Sequence, residues 1–411
     1  ALRGAGPAII ASGSTVTLAL LTLTFAALEG NRSLGIVCAT GVVIAMISAL
    51  AVLPAALVVF PRWVFWPITP KMGGVNKSDN GLWAKLGKGV SKKPVVVSIV
   101  GFILLGALAT GAAGIQVGLS STDRFLKTPE AVVGQEVLAD AFAAGSTTPT
   151  IVIANKTNAD AVVAAATAVE GVDSAKVASS NDSISKIEVV LDAESQSDEA
   201  YATIKLLRTA VHEVGGADAM VGGQDAQALD VKEAYAHDQL IVIPMILILV
   251  FIVLVLLLRA LVAPVLLLVT VVASFFASMG AGWLLFVNFF GFPALDLSVF
   301  LYSFLFLVAL GVDYNIFLVT RAKEEAAHLG TKQGMIKALS ATGGVITSAG
   351  ILLAAVFAVL GVLPLVALAQ IGVIVCIGVL LDTLLVRTVI VPALAFISGK
   401  KFWLPSKNYK A

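Results

Sequence analysis

LSVFLYSFLFLVALGVDYNIFLVTR, residues 297–321, is long and apolar enough to cross a bilayer, and it carries Asp313 beside Tyr314 near its basic end. About 20 apolar residues span the roughly 30 Å hydrocarbon core as a helix. A carboxylate inside such a span carries an insertion penalty of about 2.5–3.5 kcal/mol, so its default reading is functional, a proton relay or ion-coupling site. Two blander readings stand beside it. One is a buried Asp, satisfied by its neighbours, that only fixes helix packing; the other is an Asp snorkelled to the surface without function.

The rest of the chain has a matching composition. Of 411 residues, 58% are hydrophobic and 13% charged, and mean hydropathy is +0.98, whereas soluble domains carry about 25% charged residues. This is the composition of an integral membrane protein. Cys38 and Cys376 both lie in apolar runs, which suggests neither a disulfide framework nor a metal site. The sequence has no nucleotide-binding P-loop, and no Ser-His-Asp, Cys-His or metal-ligand spacing stands out, so no enzyme, cofactor, metal or nucleic-acid partner is expected. An ion gradient is then the energy source for active transport, worth about 2.3 kcal/mol per charge per 100 mV.

Apolar runs fall at roughly 7–28, 34–60, 94–114, 238–258, 262–287, 297–320, 341–362 and 366–397, giving eight expected spans. Residues 115–238 hold 19 acidic and 8 basic residues, a balance of −11, which leaves +12 for everything else. The basic residues Lys85, Lys88, Lys92, Lys93, Arg259, Arg321, Lys323, Lys332, Lys337, Lys400 and Lys401 all fall in linkers of one parity. By the positive-inside rule those linkers are cytoplasmic and the acidic domain extracytoplasmic.

An internal repeat sets the organisation. ALRGAGPAIIASG at 1–13 aligns with ALSATGGVITSAG at 338–350 at an offset of 337, in register through Leu28/Leu365 and Gly35/Gly372, after which a one-residue slip brings Pro54 onto Pro392. Parallel repeats related by an axis along the membrane normal are a transporter plan. The offset puts the counterpart of residue 94 about 240 positions before Ala1. The chain is therefore expected to be the C-terminal part of a twelve-span protein whose N-terminal half is its partner. The expected divisions are 1–60, the last two spans of the first repeat; 61–93, a cytoplasmic linker; 94–114, the first span of the second repeat; 115–237, an extracytoplasmic domain; 238–397, a five-span bundle; and 398–411, a cytoplasmic basic tail.

Within the extracytoplasmic domain, TPTIVIAN (148–155), VDSAKVASS (172–180), SKIEVVLDA (185–193) and ADAMVGGQDA (217–226) read as strands, and 158–170 and 197–214 as helices, with Ser197 capping the second. That order, βαββαβ, is an α+β, ferredoxin-like unit. Residues 115–147 and 227–237 would link it to the membrane helices.

The stretches GVDYNIFLVTRAKEE (311–325), FLYSFLFLVALG (300–311) and GVLLDTLLVRTVIVPAL (378–394) resemble the MMPL group of the resistance-nodulation-division (RND) superfamily, named for the mycobacterial large membrane proteins, over essentially the whole chain. The resemblance implies proton-driven export of lipids, glycolipids or other amphiphiles across the bacterial inner membrane, with ferredoxin-like porter domains outside. It also implies that this Asp-Tyr pair faces a second pair in the other half. Multidrug efflux by the same mechanism, a protein-translocation auxiliary of the superfamily and a lipid-sensing membrane protein are the alternatives; homo-oligomerisation is left open.

The expected relay is Asp313 with Tyr314. Burial disfavours the charged carboxylate, which brings proton uptake within reach of neutral pH. Neighbouring helical residues point about 100° apart, so the two cannot serve one partner, and Tyr314 is expected to meet a carboxylate on a facing helix. Ser12, Thr15, Thr347 and Ser348 are candidate relay neighbours on the repeat hairpins, although small polar residues more often serve packing. Asp382 and Arg387, five residues apart in the last span, read as a structural ion pair or as snorkelling at the interface rather than as a proton path.

Overall fold

Without water to bond, a backbone inside a bilayer must satisfy its N–H and C=O groups within its own segment, and uncharged apolar runs become long helices. The computed structural model describes residues 2–60, 81–120, 123–127, 129–141 and 148–406. It divides into two compact units, residues 1–117 with 238–411, and residues 118–237. Residues 61–80 of the expected linker and 407–411 of the expected basic tail lie outside the described residues.

The chain begins with helices α1 (Leu2–Leu21), α2 (Glu29–Ile47), α3 (Leu53–Val59), α4 (Leu82–Lys92), α5 (Pro94–Ala109) and α6 (Glu130–Ala141). There follow β1 (Thr150–Asn155), α7 (Ala159–Thr167), β2 (Val172–Ser180), β3 (Ile184–Leu191), α8 (Asp198–His212) and β4 (Met220–Gly222). The last helices are α9 (Gln224–Leu258), α10 (Val262–Leu285), α11 (Val299–Leu360), α12 (Val366–Leu381) and α13 (Val391–Ser398).

Among the described residues, six helical segments are long and apolar enough to cross a membrane: Glu29–Val59, Pro94–Gly114, Gln224–Leu258, Val262–Phe290, Val299–Leu360 and Val366–Trp403; Ile9–Phe25 is a shorter apolar helix. α11 holds two of the expected runs, 297–320 and 341–362, as two arms broken at Gly330, whose φ of 80° and ψ of 165° belong to glycine territory. The connector between the arms is tied by Arg321 to Glu324 (2.9 Å) and Glu325 (2.5 Å), and by Lys337 to Glu325 (2.9 Å).

The repeat read from sequence is also a repeat of packing. A Cβ built on Gly35 of α2 would lie 2.7 Å from the Leu20 carbonyl oxygen and 2.7 Å from Leu23 Cβ; one on Gly372 of α12 would lie 2.5 Å from the Phe357 carbonyl oxygen and 2.8 Å from Leu360 Cβ. Gly13 likewise abuts the Met46 side chain as Gly350 abuts Thr383. All these partners keep the offset of 337. The one-residue slip has a local cause. Both hairpins leave α winding before their prolines, over Ser48–Val52 in the first and over the longer stretch Asp382–Ile390 in the second, and a π turn takes up an added residue.

In the other unit the strands pair antiparallel in the order β2-β3-β1-β4, with α7 between β1 and β2 and α8 between β3 and β4. Burial alternates along β1 and β3, and Val152, Ile187 and Val189 meet Ile204, Leu207 and Val211 of α8 in one core. Ser197 caps α8 by accepting the Ala200 N–H at 3.1 Å. The expected last strand shortens to three residues because Gly223, at φ 102°, turns the chain into α9. The expected link 227–237 is helical: no breaker interrupts α9 before the apolar run, and its first turns bind α8 through Arg208–Asp230 (2.6 and 2.9 Å) and Lys232–Asp198 (2.7 Å). The Lys232 ammonium, hydrogen-bonded to Asp198, holds that carboxyl below the usual carboxylate range.

Candidate functional site

Asp313 lies on the first arm of α11, and α1 of the first hairpin packs beside it. Ser12 Oγ donates to Asp313 Oδ2 at 2.7 Å, bridging positions 301 residues apart, while Asp313 Oδ1 is buried with no hydrogen-bond partner. The other three expected neighbours do not reach it. Thr15 donates to the Ala11 carbonyl at 2.8 Å and Ser348 to the Val345 carbonyl at 2.8 Å, the back-bonding that helical hydroxyls commonly adopt. Thr347 Oγ1 is buried and unbonded.

A second carboxylate meets α11 on a different face. A Cβ on Gly311 would lie 3.5 Å from Cγ and Oδ2 of Asp382, so that carboxylate packs directly against position 311. Positions 311 and 313 are about 200° apart around a helix, whereas 311 and 315 stack one turn apart. Asn315 therefore shares the Gly311 face; it is fully buried, and neither of its amide atoms has a hydrogen-bond partner. Tyr314 is within electrostatic reach of Asp382 and Arg387 as well as Asp313.

The two residues of the expected ion pair in the last span make no direct hydrogen bond, although each lies within reach of the other's charge. Asp382 and Arg387 are 3% and 0% exposed, which excludes snorkelling, and neither the Asp382 oxygens nor the Arg387 nitrogens have a hydrogen-bond partner. The burial has a local cause in the winding. Both residues lie in the π stretch, where residues i and i+5 stack, so Arg387 follows Asp382 on the same buried side instead of turning toward the interface. Thr383, packed against Gly350, adds another buried hydroxyl without a partner.

Asp313, Asn315, Thr347, Asp382, Thr383 and Arg387 thus put unbonded polar atoms into the membrane bundle. Such groups are costly in apolar surroundings unless a proton, water or ion meets them. Among the described residues no three His, Cys, Asp or Glu side chains converge as a metal site. Sequence reading missed Asn315 and Gly311. The available signal was their i, i+4 spacing on the helix of Asp313, but the face they occupy is visible only once Asp382 is in place.

A family model described as "MMPL family" matches residues 1–97 and 127–411. The chain is 47% identical over 406 residues to the putative membrane protein ActII-3 of Streptomyces coelicolor, covering 98% of this chain and 57% of that protein. It is 35% identical to the apo-petrobactin exporter of Bacillus anthracis, covering 99% of this chain and 58% of the exporter. The chain thus spans somewhat more than half the length of these relatives. A crystal structure of SecDF in its super-membrane-facing form shares the fold, with a TM-score of 0.53 at 15% identity over 96% of this chain and 48% of SecDF. With its apolar helices, its repeated hairpins and a family match over most of its length, the chain is a multi-pass membrane protein of the MMPL family.

Proposed function

We propose that the protein exports lipids, glycolipids or other amphiphiles across the bacterial inner membrane and that the proton gradient drives it through Asp313. Multidrug efflux would use the same machinery on a different cargo. The observation that carries the reading is the Asp313 carboxylate, held on one side by Ser12 and left with a buried, unbonded oxygen on the other. Ionised, that carboxylate is an acceptor for Ser12; protonated, it becomes a donor as well, and its hold on α1 changes. Asp382, Asn315 and Tyr314 supply further proton-exchanging or hydrogen-bonding groups around the same helix, so Asp382 is read as part of the relay instead of a structural counter-ion. The name of the Bacillus anthracis relative, an exporter of apo-petrobactin, supports export of a small molecule.

Eight spans, with the basic connectors cytoplasmic and residues 118–237 outside as a ferredoxin-like porter domain, complete the proposal. Its supports are the eight apolar runs, the charge asymmetry, the β2-β3-β1-β4 order with two crossover helices, and the greater length of the relatives, which leaves room for a twelve-span whole. The test compares amphiphiles outside wild-type and depleted cells by untargeted lipid analysis, with and without a protonophore. The proposal requires a species that vanishes on depletion and on collapse of the gradient. Export that survives the protonophore would remove the proton from the mechanism.

A further inference from the structure

Asp238 is fully buried where α9 enters its apolar run, and its carboxylate holds the turn of the first hairpin. Oδ1 accepts the Ala27 backbone N–H at 2.5 Å, and Oδ2 accepts Asn31 Nδ2 at 2.9 Å. Asn31 Oδ1 in turn accepts the Tyr302 hydroxyl at 2.6 Å. The placement has a local cause. Leu28, at the N-cap of α2, offers no side-chain cap, and the Asp238 carboxylate takes the N–H of the residue before it and sets negative charge at the positive end of the α2 dipole. Arg32 Nε closes the same turn on the Ala26 carbonyl at 2.5 Å.

Tyr302 and Asp313 stand on one arm of α11, eleven residues and roughly 16 Å apart at 1.5 Å per residue. The first hairpin is therefore gripped by α11 at two heights, through Asn31 and Tyr302 at one and through Ser12 and Asp313 at the other. From Ser12 the helix runs unbroken to Leu21 and continues as a 3-10 turn over Thr22–Phe25, so its height along α11 is set at the hairpin turn.

We propose that Asp238 is a positioning residue for Asp313: by anchoring the hairpin turn to α9 and, through Asn31, to Tyr302, it fixes the height at which Ser12 meets the Asp313 carboxylate. This rests on the relay reading of Asp313. The groups around Asp313 that bear on its protonation are Ser12 from α1 and Tyr314 on its own helix, and Tyr314 in turn feels Asp382 and Arg387 from the last span. Glu29, Arg32, Tyr302 and His237 are ionisable groups on the segments that meet Asp238.

The test is the protonation midpoint of Asp313 in the full-length protein in liposomes, read from pH-difference infrared spectra with the carboxyl band assigned by its loss in Asp313→Asn. Asp238→Ala moves the midpoint by the same amount as Ser12→Ala, about one pH unit or tenfold in proton affinity, and the two together move it no further. The exchange Asp238→Asn with Asn31→Asp keeps a donor facing an acceptor at all three bonds and restores the wild-type midpoint. Tyr302→Phe, which removes one hydroxyl, gives a smaller shift in the same direction and decides the matter if Asp238→Ala does not fold. An unmoved midpoint in Asp238→Ala or Tyr302→Phe, or additive shifts with Ser12→Ala, overturns the proposal while leaving the relay standing. Absence of any band lost in Asp313→Asn overturns the relay itself, and the positioning role with it.

Discussion

Gly35 and Gly372 occupy the same seat in two copies of one hairpin, each pressed against a backbone carbonyl of the preceding helix, Leu20 in one and Phe357 in the other. A methyl group there meets backbone, which cannot swing aside as a side chain can. Gly35→Ala and Gly372→Ala are each expected to destabilise the protein by about 1–3 kcal/mol. Gly41→Ala, where a Cβ meets nothing within 4 Å, is expected to be neutral or slightly stabilising. Thermal melts of the detergent-solubilised variants check this, and equal melting temperatures for all three would remove the close-packing account of the repeat.

Ser12 is the one hydroxyl among the four sequence candidates that bonds Asp313. Hydrogen bonds to charged groups contribute about 1.5–3 kcal/mol, so Ser12→Ala is expected to lower gradient-driven transport about tenfold or more while the melting temperature falls by no more than a few degrees. Ser12→Thr, which keeps a hydroxyl, should retain most of the activity. Loss of stability without loss of rate in Ser12→Ala would assign the bond to packing.

How much of this was legible beforehand differs from residue to residue. The apolar runs and the repeat could be read because a bilayer enforces length and because the packing glycines recur at a fixed offset. Asp313 stood out because a carboxylate in such a run is costly. The failures have physical causes. Thr15 and Ser348 bond their own helices, and nothing in a sequence says whether a helical hydroxyl turns inward to its backbone or outward to a neighbour. Asp382 and Arg387 read as a structural ion pair or as interfacial because they lie five residues apart near the cytoplasmic end of the last span, and the π stretch that keeps both buried has no signature in composition. The role of Asp238 was invisible, since its partners Ala27 and Asn31 are over two hundred positions away.

Asp382 and Arg387 are both buried, and neither has a hydrogen-bond partner. Removing one leaves the other's charge uncompensated in an apolar bundle, typically a loss of 3–5 kcal/mol, whereas replacing both by apolar groups can be nearly neutral. Arg387→Met alone is thus expected to destabilise strongly, and Asp382→Leu with Arg387→Met to recover most of that loss. Both are expected to be impaired in transport. A double variant that melts and transports like wild type would return Asp382 to a purely structural role.

The central claim is that Asp313 carries the proton. Asp313→Asn keeps size and hydrogen-bonding capacity but cannot titrate. Transport is measured in proteoliposomes loaded with a native lipid extract under an imposed pH gradient, beside a thermal melt of the same preparation. The expected result is a fall in gradient-driven transport by orders of magnitude at an unchanged melting temperature, with Tyr314→Phe only partly impaired. Full gradient-driven transport by Asp313→Asn would contradict the account.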